Sequence, residues 1–395
     1  MRGRRNRADR SGEAATARRG RKILPALIVA LTLGVPSAVA SVTDIPVRVT
    51  PAWDAHPVAG VGFLAWVQNT RAHPDLFNVY VKPDGGSQFR VNLPGTEGSL
   101  GGIDGTTLAY QQFRRGSDIK FFNLKTHARW NPPRGVNTKH WEYWPAFQRP
   151  WLLFARQNIV TGARSIILFN LHTHASRVLD VVRGNKYVQP GQVNGGYAVW
   201  VHWVPPGRAR VDIYDMPNHK LTRVPNVRGY DWSPSVTENG TVYFERSGLR
   251  CGSNARIMRY PLGGPLATVL GLPKGIDLSS TYVFPLDDGS IQVFHDRMRC
   301  SSLKFGDDIY RFVDDYTVTL SVTVVGSGTV TSAPAGISCT SACSHEFEPN
   351  RTVTLTATPG LGSTFVGWSD ASCPGTDPCT LMPTSDTSIT ATFNP

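Results

Sequence analysis

Four bases stand directly before a glycine at near-regular intervals: Arg134, Arg183, Arg228 and Lys274, ahead of Gly135, Gly184, Gly229 and Gly275. A few residues beyond such turns come the acids Asp54, Glu97, Glu142, Asp231 and Asp277, with Tyr187 standing in the remaining unit. The aromatics Trp53, Trp141, Tyr230 and Trp232 are interleaved with them. Side chains of these types support two chemistries. Paired carboxylates can serve as acid and base, or acid and nucleophile, across a glycosidic bond. Aromatic faces beside fixed charges can instead hold a ligand and orient it without transforming it. A third arrangement has no ligand at all: acids and bases of neighbouring units pair and orient the turns.

Signatures of catalysis do not accompany these residues. The chain contains no G-x-S-x-G, H-E-x-x-H, phosphate-binding P-loop or G-x-G-x-x-G pattern, so no catalytic residue and no cofactor is assigned. His172 and His174 sit in one turn without a third ligand nearby, and no metal site is assigned to them. Six cysteines, at 251, 300, 339, 343, 373 and 379, form an even set. In an exported protein that argues for disulfides. Cys251 lies seven residues after Phe244 and Cys300 six after Phe294, so both fall in the same loop of successive units and a Cys251–Cys300 bridge is expected. Local Cys339–Cys343 and Cys373–Cys379 bridges are expected with it, although spacing alone leaves exchange among those four open.

The elements that must position these residues form a repeat. Short apolar strands carry Trp66, Tyr110, Phe154, Trp200, Phe244 and Phe294 at spacings of 44, 44, 46, 44 and 50. A second ladder carries Tyr80, Phe122, Phe169, Tyr214, Tyr260 and Phe312 at 42, 47, 45, 46 and 52. Two independent series with one step, period-2 alternation and no amphipathic helical pattern predict an all-β fold: a six-bladed β-propeller of four-stranded blades, with a small C-terminal β-module. The sixth unit lacks an outer strand, whereas Ile45–Thr50 is a strand without a unit. The latter is expected to complete the former and remove two exposed edges. In such a ring the charged and aromatic residues above converge on one mouth of the central channel.

The ends of the chain differ from this body. Residues 1–22 carry nine bases and two acids, followed by an apolar run and Ala38-Val39-Ala40. That is the pattern of a cleavable secretory signal over residues 1–40, and the run is too short for a comfortable membrane span. The segment contributes seven of the formal twelve positive charges, so the basic balance does not point to nucleic acid. From residue 318 on, only Arg351 is basic, and Thr, Ser, Gly and Val alternate in five or six expected short strands.

Some of these segments resemble known families. YWPAFQRPWLLFAR and DWSPSVTENGTVYFER are similar to the blade segments of TolB-like propellers, and DGGSQFRVNLPG to their blade ends. GSGTVTSAPAGISC, VTLTATP, FVGWS and TATF resemble the divergent InlB-type B-repeat. These resemblances imply domains at 41–317 and 318–395, an extracellular or envelope location, and a tail that is an adhesive or spacer module with Trp368 in its core. The expected function is non-catalytic recognition of a glycan, a peptide or an envelope protein at the propeller mouth, by Arg134, Arg183, Arg228, Lys274, Trp53, Asp54, Glu142, Tyr187, Tyr230, Asp231 and Asp277. The alternative is an extracellular enzyme using Glu142, Asp231 or Asp277.

Overall fold

The computed structural model describes residues 42–395, apart from 71–72, 204, 206–207, 227–228, 249, 287–289 and 303–306. The expected signal segment, residues 1–40, and Arg228 lie outside the described residues. Six antiparallel sheets follow one another along residues 45–314, the first five with four strands in simple meander order. Their innermost strands are Trp53–Gly60, Glu97–Asp104, Trp141–Gln148, Tyr187–Asn194, Tyr230–Val236 and Thr281–Pro285. Each packs against the next, and the last against the first, which closes a ring of six blades. No helix among the described residues is long and apolar enough to cross a membrane.

Both aromatic ladders are inter-blade core. Trp66, Tyr110, Phe154, Trp200 and Phe244 on the second strands are at most 1% exposed. Phe122, Phe169 and Phe312 on the third strands are buried with them. A single four-stranded sheet leaves both of its faces wet, whereas radial packing buries each aromatic against a neighbouring blade, at about 1.5–3 kcal/mol for each large side chain.

Closure follows the expected route. Ile45–Arg48 pairs antiparallel with Asp308–Asp314, the third strand of blade six, with Ile45 opposite Arg311. The strand stops at Arg48 rather than Thr50; Arg48 is still paired, opposite Ile309, and its side chain reaches blade one. Its Nε lies 2.9 Å from Oδ1 of Asp54, and its guanidinium sits 4.4 Å from the Trp66 ring centre. Across the ring Cys251 is bridged to Cys300, joining equivalent loops of blades five and six.

The tail has eight strands rather than five or six, in two four-stranded sheets. Ser338–Cys339 and Cys379–Leu381 are too short to show alternation in sequence. The first and last long strands, Val318–Val325 and Thr387–Asn394, lie side by side in parallel. Leu320, Val330, Leu355 and Phe393 fill the space between the sheets, with Trp368 packed at its margin. Cys339–Cys343 and Cys373–Cys379 are bridged.

Removing the closing strand exposes the edge of blade six and strips Asp54 of its arginine. An unpaired buried carboxylate costs about 3–5 kcal/mol. A chain beginning at Pro51 should therefore melt roughly 6–15 °C below one beginning at Ser41 in scanning calorimetry. Equal melting temperatures would show that the ring closes without that strand.

Candidate functional site

The mouth is built by the first four residues of each innermost strand together with the ends of the second strands. Cross-strand partners establish which positions are equivalent. Asp54 faces Gln68, Gly98 faces Gln112, Glu142 faces Arg156, Val188 faces His202, Asp231 faces Arg246, and Asp277 faces Met298. Two sequence assignments are corrected by this register. Glu97 opposes Phe113 and Tyr187 opposes Trp203, so both belong one residue earlier, with Trp53, Trp141 and Tyr230. In a strand a shift of one residue moves a side chain to the opposite face. Glu97 therefore does not continue the row of acids.

The acids that do align are sealed. Asp54, Glu142 and Asp231 are 0% exposed, and Asp277 is 9% exposed. Glu142 accepts hydrogen bonds from Arg156 Nε at 2.8 Å and Thr138 Oγ1 at 2.8 Å. Asp231 takes both arms of Arg246, at 2.7 and 2.9 Å. Burial still outweighs that guanidinium and raises the Asp231 carboxyl above the ordinary range. Asp277 accepts the backbone N–H groups of Gly252 and Leu278, and Asp54 is held by Gln68 at 2.6 Å as well as by Arg48.

Among the described residues, none of Arg134, Arg183 and Lys274 pairs with these acids. Arg156 and Arg246 come from the second strand of the acid's own blade, and Arg48 comes from the closing strand. Arg134, Arg183 and Lys274 are exposed and make no ion pair among the described residues. Arg156 and Arg246 follow their acids by 14 and 15 residues, a spacing that could have identified them.

A second carboxylate group was not anticipated. Glu245 and Asp296, both buried, stand near Asp277 and Asp231 between blades five and six. Asp296 is fully bonded by the N–H and hydroxyl groups of Ser279 and Ser280 and the N–H of His56. Asp307 is 2% exposed and its Oδ2 has no hydrogen-bond partner. Burial, and then the Asp296 charge, push its carboxyl up to about 8. Burial and three neighbouring carboxylates likewise hold Glu245 well above its usual value.

Aromatic rings occupy the opposite side. Trp141 meets Tyr143 with centroids 6.3 Å apart, Tyr143 meets Trp144 at 5.3 Å, and Trp144 meets Tyr187 at 5.7 Å. Tyr187 then meets Trp232 at 6.5 Å, and Trp232 meets Trp203 at 6.5 Å. This arc of six rings runs across blades three, four and five. Of the aromatics singled out in the sequence it gathers Trp141, Tyr187 and Trp232, while Trp53 packs separately on Phe77 and Tyr230 has no ring partner among the described residues. Tyr143, Trp144 and Trp203 complete the arc and had not been foreseen.

Backbone geometry places Trp144. His56, Trp144 and Ser233 have φ of 53°, 46° and 48°, each precedes a proline, and each marks a register shift of its innermost strand. Non-glycine residues rarely adopt this conformation, and it persists where surroundings over-determine it. Here the Trp144 N–H donates to Gln111 Oε1 of the preceding blade at 3.1 Å. In alternate blades glycines take the facing places. A Cβ on Gly101 would lie 2.3 Å from the Pro145 carbonyl oxygen, and one on Gly191 would lie 2.1 Å from that of Pro234. The channel they leave, lined by His56, Gly101, Trp144, Gly191, Ser233 and Ser280, has a volume of only about 120 Å³.

Two groupings have the composition of metal sites. Asp180, His202 and Asp212 bring ligand atoms within 4.8 Å of one another. Asp212 is already engaged by Arg210 and Arg223, and Asp180 accepts from Trp200 Nε1 and contacts His202 Nδ1, which makes this a hydrogen-bond relay. Asp277 adjoins Cys251 and Cys300, whose sulfurs are committed to their bridge.

Residues 318–395 match the divergent InlB B-repeat domain family. No curated protein matches the sequence. Among solved structures the chain is similar to a putative TolB from Agrobacterium tumefaciens, with 13% identity, 68% of this chain and 92% of that one covered, and a TM-score of 0.46. It is also similar to TolB from Acinetobacter baumannii, at 14% identity and TM-score 0.43, covering 64% of each chain. A third similar structure is the β-propeller domain of the Trilobed protease from Pyrococcus furiosus, at 11% identity, 68% and 95% coverage and TM-score 0.42.

Two outcomes follow from these charges. Arg246→Met should destabilise the propeller by about 3–5 kcal/mol in urea titration, because it strands Asp231, whereas Arg134→Ser should change stability by less than about 0.5 kcal/mol. Burial and the Asp296 charge raise the Asp307 carboxyl to about 8 in the native state, whereas in the unfolded chain it titrates near the ordinary value of about 4. Native stability should therefore fall as pH rises from about 4 to about 8. Asp307→Asn should flatten that slope in melting curves recorded from pH 5 to pH 8.

Proposed function

We propose that the chain is exported, cleaved after Ala40, and acts outside the cytoplasm as a non-catalytic recognition protein. In this reading the propeller mouth holds the ligand and residues 318–395 serve as a spacer or surface contact. One observation carries the proposal: the charges and rings of the mouth divide into two classes. The carboxylates that could do acid–base work are buried and bonded in place. Arg134, Arg183 and Lys274 are exposed and make no ion pair among the described residues, and Trp141 is 46% exposed. A general acid or nucleophile must reach its substrate, and Glu142 and Asp231 at 0% exposure do not. Ring faces and free cations suit binding without turnover. The three disulfides and the InlB-type module agree with an extracellular or periplasmic location.

The mature chain carrying Arg134→Ser and Arg183→Ser should lose at least ~10-fold of its retention on glycan and peptide arrays, a change of about 1.4 kcal/mol, with its melting temperature unchanged. A fall in stability with binding intact would make those cations structural. Turnover of a glycan or peptide that disappears in folded Glu142→Gln or Asp231→Asn protein would establish an enzyme in its place.

A further inference from the structure

We infer that the ligand of the mouth is an anionic polysaccharide of the uronic-acid type, laid along the aromatic arc of blades three to five; this rests on the recognition function proposed above. The argument starts from the asymmetry of the mouth. Rings are continuous from Trp141 to Trp203 across three blades, with centroids 5.3–6.5 Å apart at each step. Among the described residues, blade one offers at the mouth only Trp53 with His56 and Phe77 within itself, and blade six holds the buried acids Asp296 and Asp307. A ligand that uses the arc is therefore elongated and presents several flat, weakly polar faces in succession. Chains of pyranose rings do this, because the axial C–H bonds of each sugar stack on an aromatic face while its hydroxyls remain wet.

Peptides fit less well. A peptide strand would pair with an open sheet edge, and the open edges at the mouth are those of the innermost strands. They face one another around the axis, where even a Cβ on Gly101 or Gly191 would lie 2.3 or 2.1 Å from a facing carbonyl oxygen, which leaves no room for a second chain. A helical peptide needs a continuous apolar groove, whereas the rings of the arc meet at interplanar angles of 32–88° and follow the curve of the rim.

Charge then selects among glycans. The loops that lead into blades three and four carry Arg134, Lys139, Arg183 and Lys186, all exposed and without an ion pair among the described residues. Lys139 comes two residues before Trp141 and Lys186 directly before Tyr187, so cations flank two rings of the arc. Glu142, the acid of that side, is sealed beneath Arg156. Asp118, two residues after the Gly116 that adjoins Trp141, has a side chain 48% exposed but paired with Lys120. The unpaired charge on the loops of blades three and four is therefore positive among the described residues, and a sugar carboxylate complements it at the edge of a stacked ring.

Hexagalacturonate and its fully methyl-esterified form test this directly, because esterification removes the charge and leaves the rings. The mature chain should bind the acid form in isothermal titration, with affinity falling as salt is raised. Binding should weaken at least ~10-fold for the ester, for Lys139→Ala with Lys186→Ala, and for the exposed Trp141→Ala. Each variant should melt with the parent. Equal binding of acid and ester would overturn the anionic assignment. Failure of both, with an array peptide still captured through Arg134 and Arg183, would remove the glycan and leave the recognition function standing. Failure of every glycan and peptide would remove both.

Discussion

Six innermost strands have to share one axis, and the remaining geometry of the propeller answers to that crowding. Where the strands come closest, alternate blades insert a proline, at 57, 145 and 234, behind a residue with left-handed φ. Two of the intervening blades yield with Gly101 and Gly191, where the proline carbonyls leave no room for a side chain. All five of these innermost strands carry a one-residue register shift at this level, in blades one, three and five at the left-handed residue before proline, and the shift re-aims what lies between the bulge and the mouth. Trp144 reaches Tyr187 because its own backbone sits on such a bulge. The contact between proline and glycine at the axis thus decides which rings face solvent at the rim.

The same crowding explains the buried charge. Second positions of the innermost strands point between blades, where a carboxylate is stable only with a partner delivered from close by. In blades three and five the adjacent second strand supplies an arginine, and in blade one the closing strand does so. Blades five and six add more acids than arginines, and there burial and neighbouring carboxylates push the Glu245 and Asp307 carboxyls up. The mouth is consequently built from two unlike arcs. The exposed Trp141, five half-buried rings and exposed cations lie along blades three to five, while buried acids lie along blades five, six and one.

Blade number and closure were legible because they rest on large aromatics at a constant step, and burial of such residues tolerates few alternatives. The alignment of acids was less legible. Glu97 and Tyr187 sit one residue from the row to which spacing assigned them, since turn lengths vary between blades while strand register does not. The arginines Arg156 and Arg246 were hidden among the many bases of a chain with 41 Lys and Arg. Yet His56-Pro57, Trp144-Pro145 and Ser233-Pro234 recur at 88 and 89 residues, two blade steps apart. That doubled period is open to inspection and marks the three left-handed residues of the innermost strands. In the tail the two shortest strands carry cysteines and show no alternation, so the pattern of apolar residues could not reveal them.

The closing strand also imposes an order in time. Ile45 finds its partner Arg311 only after 266 further residues have been made. Loop-closure entropy grows slowly with length, but contacts of this sequence separation form late and slow folding. Throughout synthesis, Ile45–Arg48 has no sheet to join, and Asp54 lacks the arginine that the finished ring gives it. A nascent chain that cannot complete its ring remains unfolded enough to be threaded. Such a delay would serve the export proposed above: the last blade to leave the ribosome is the one that allows the first strand to settle.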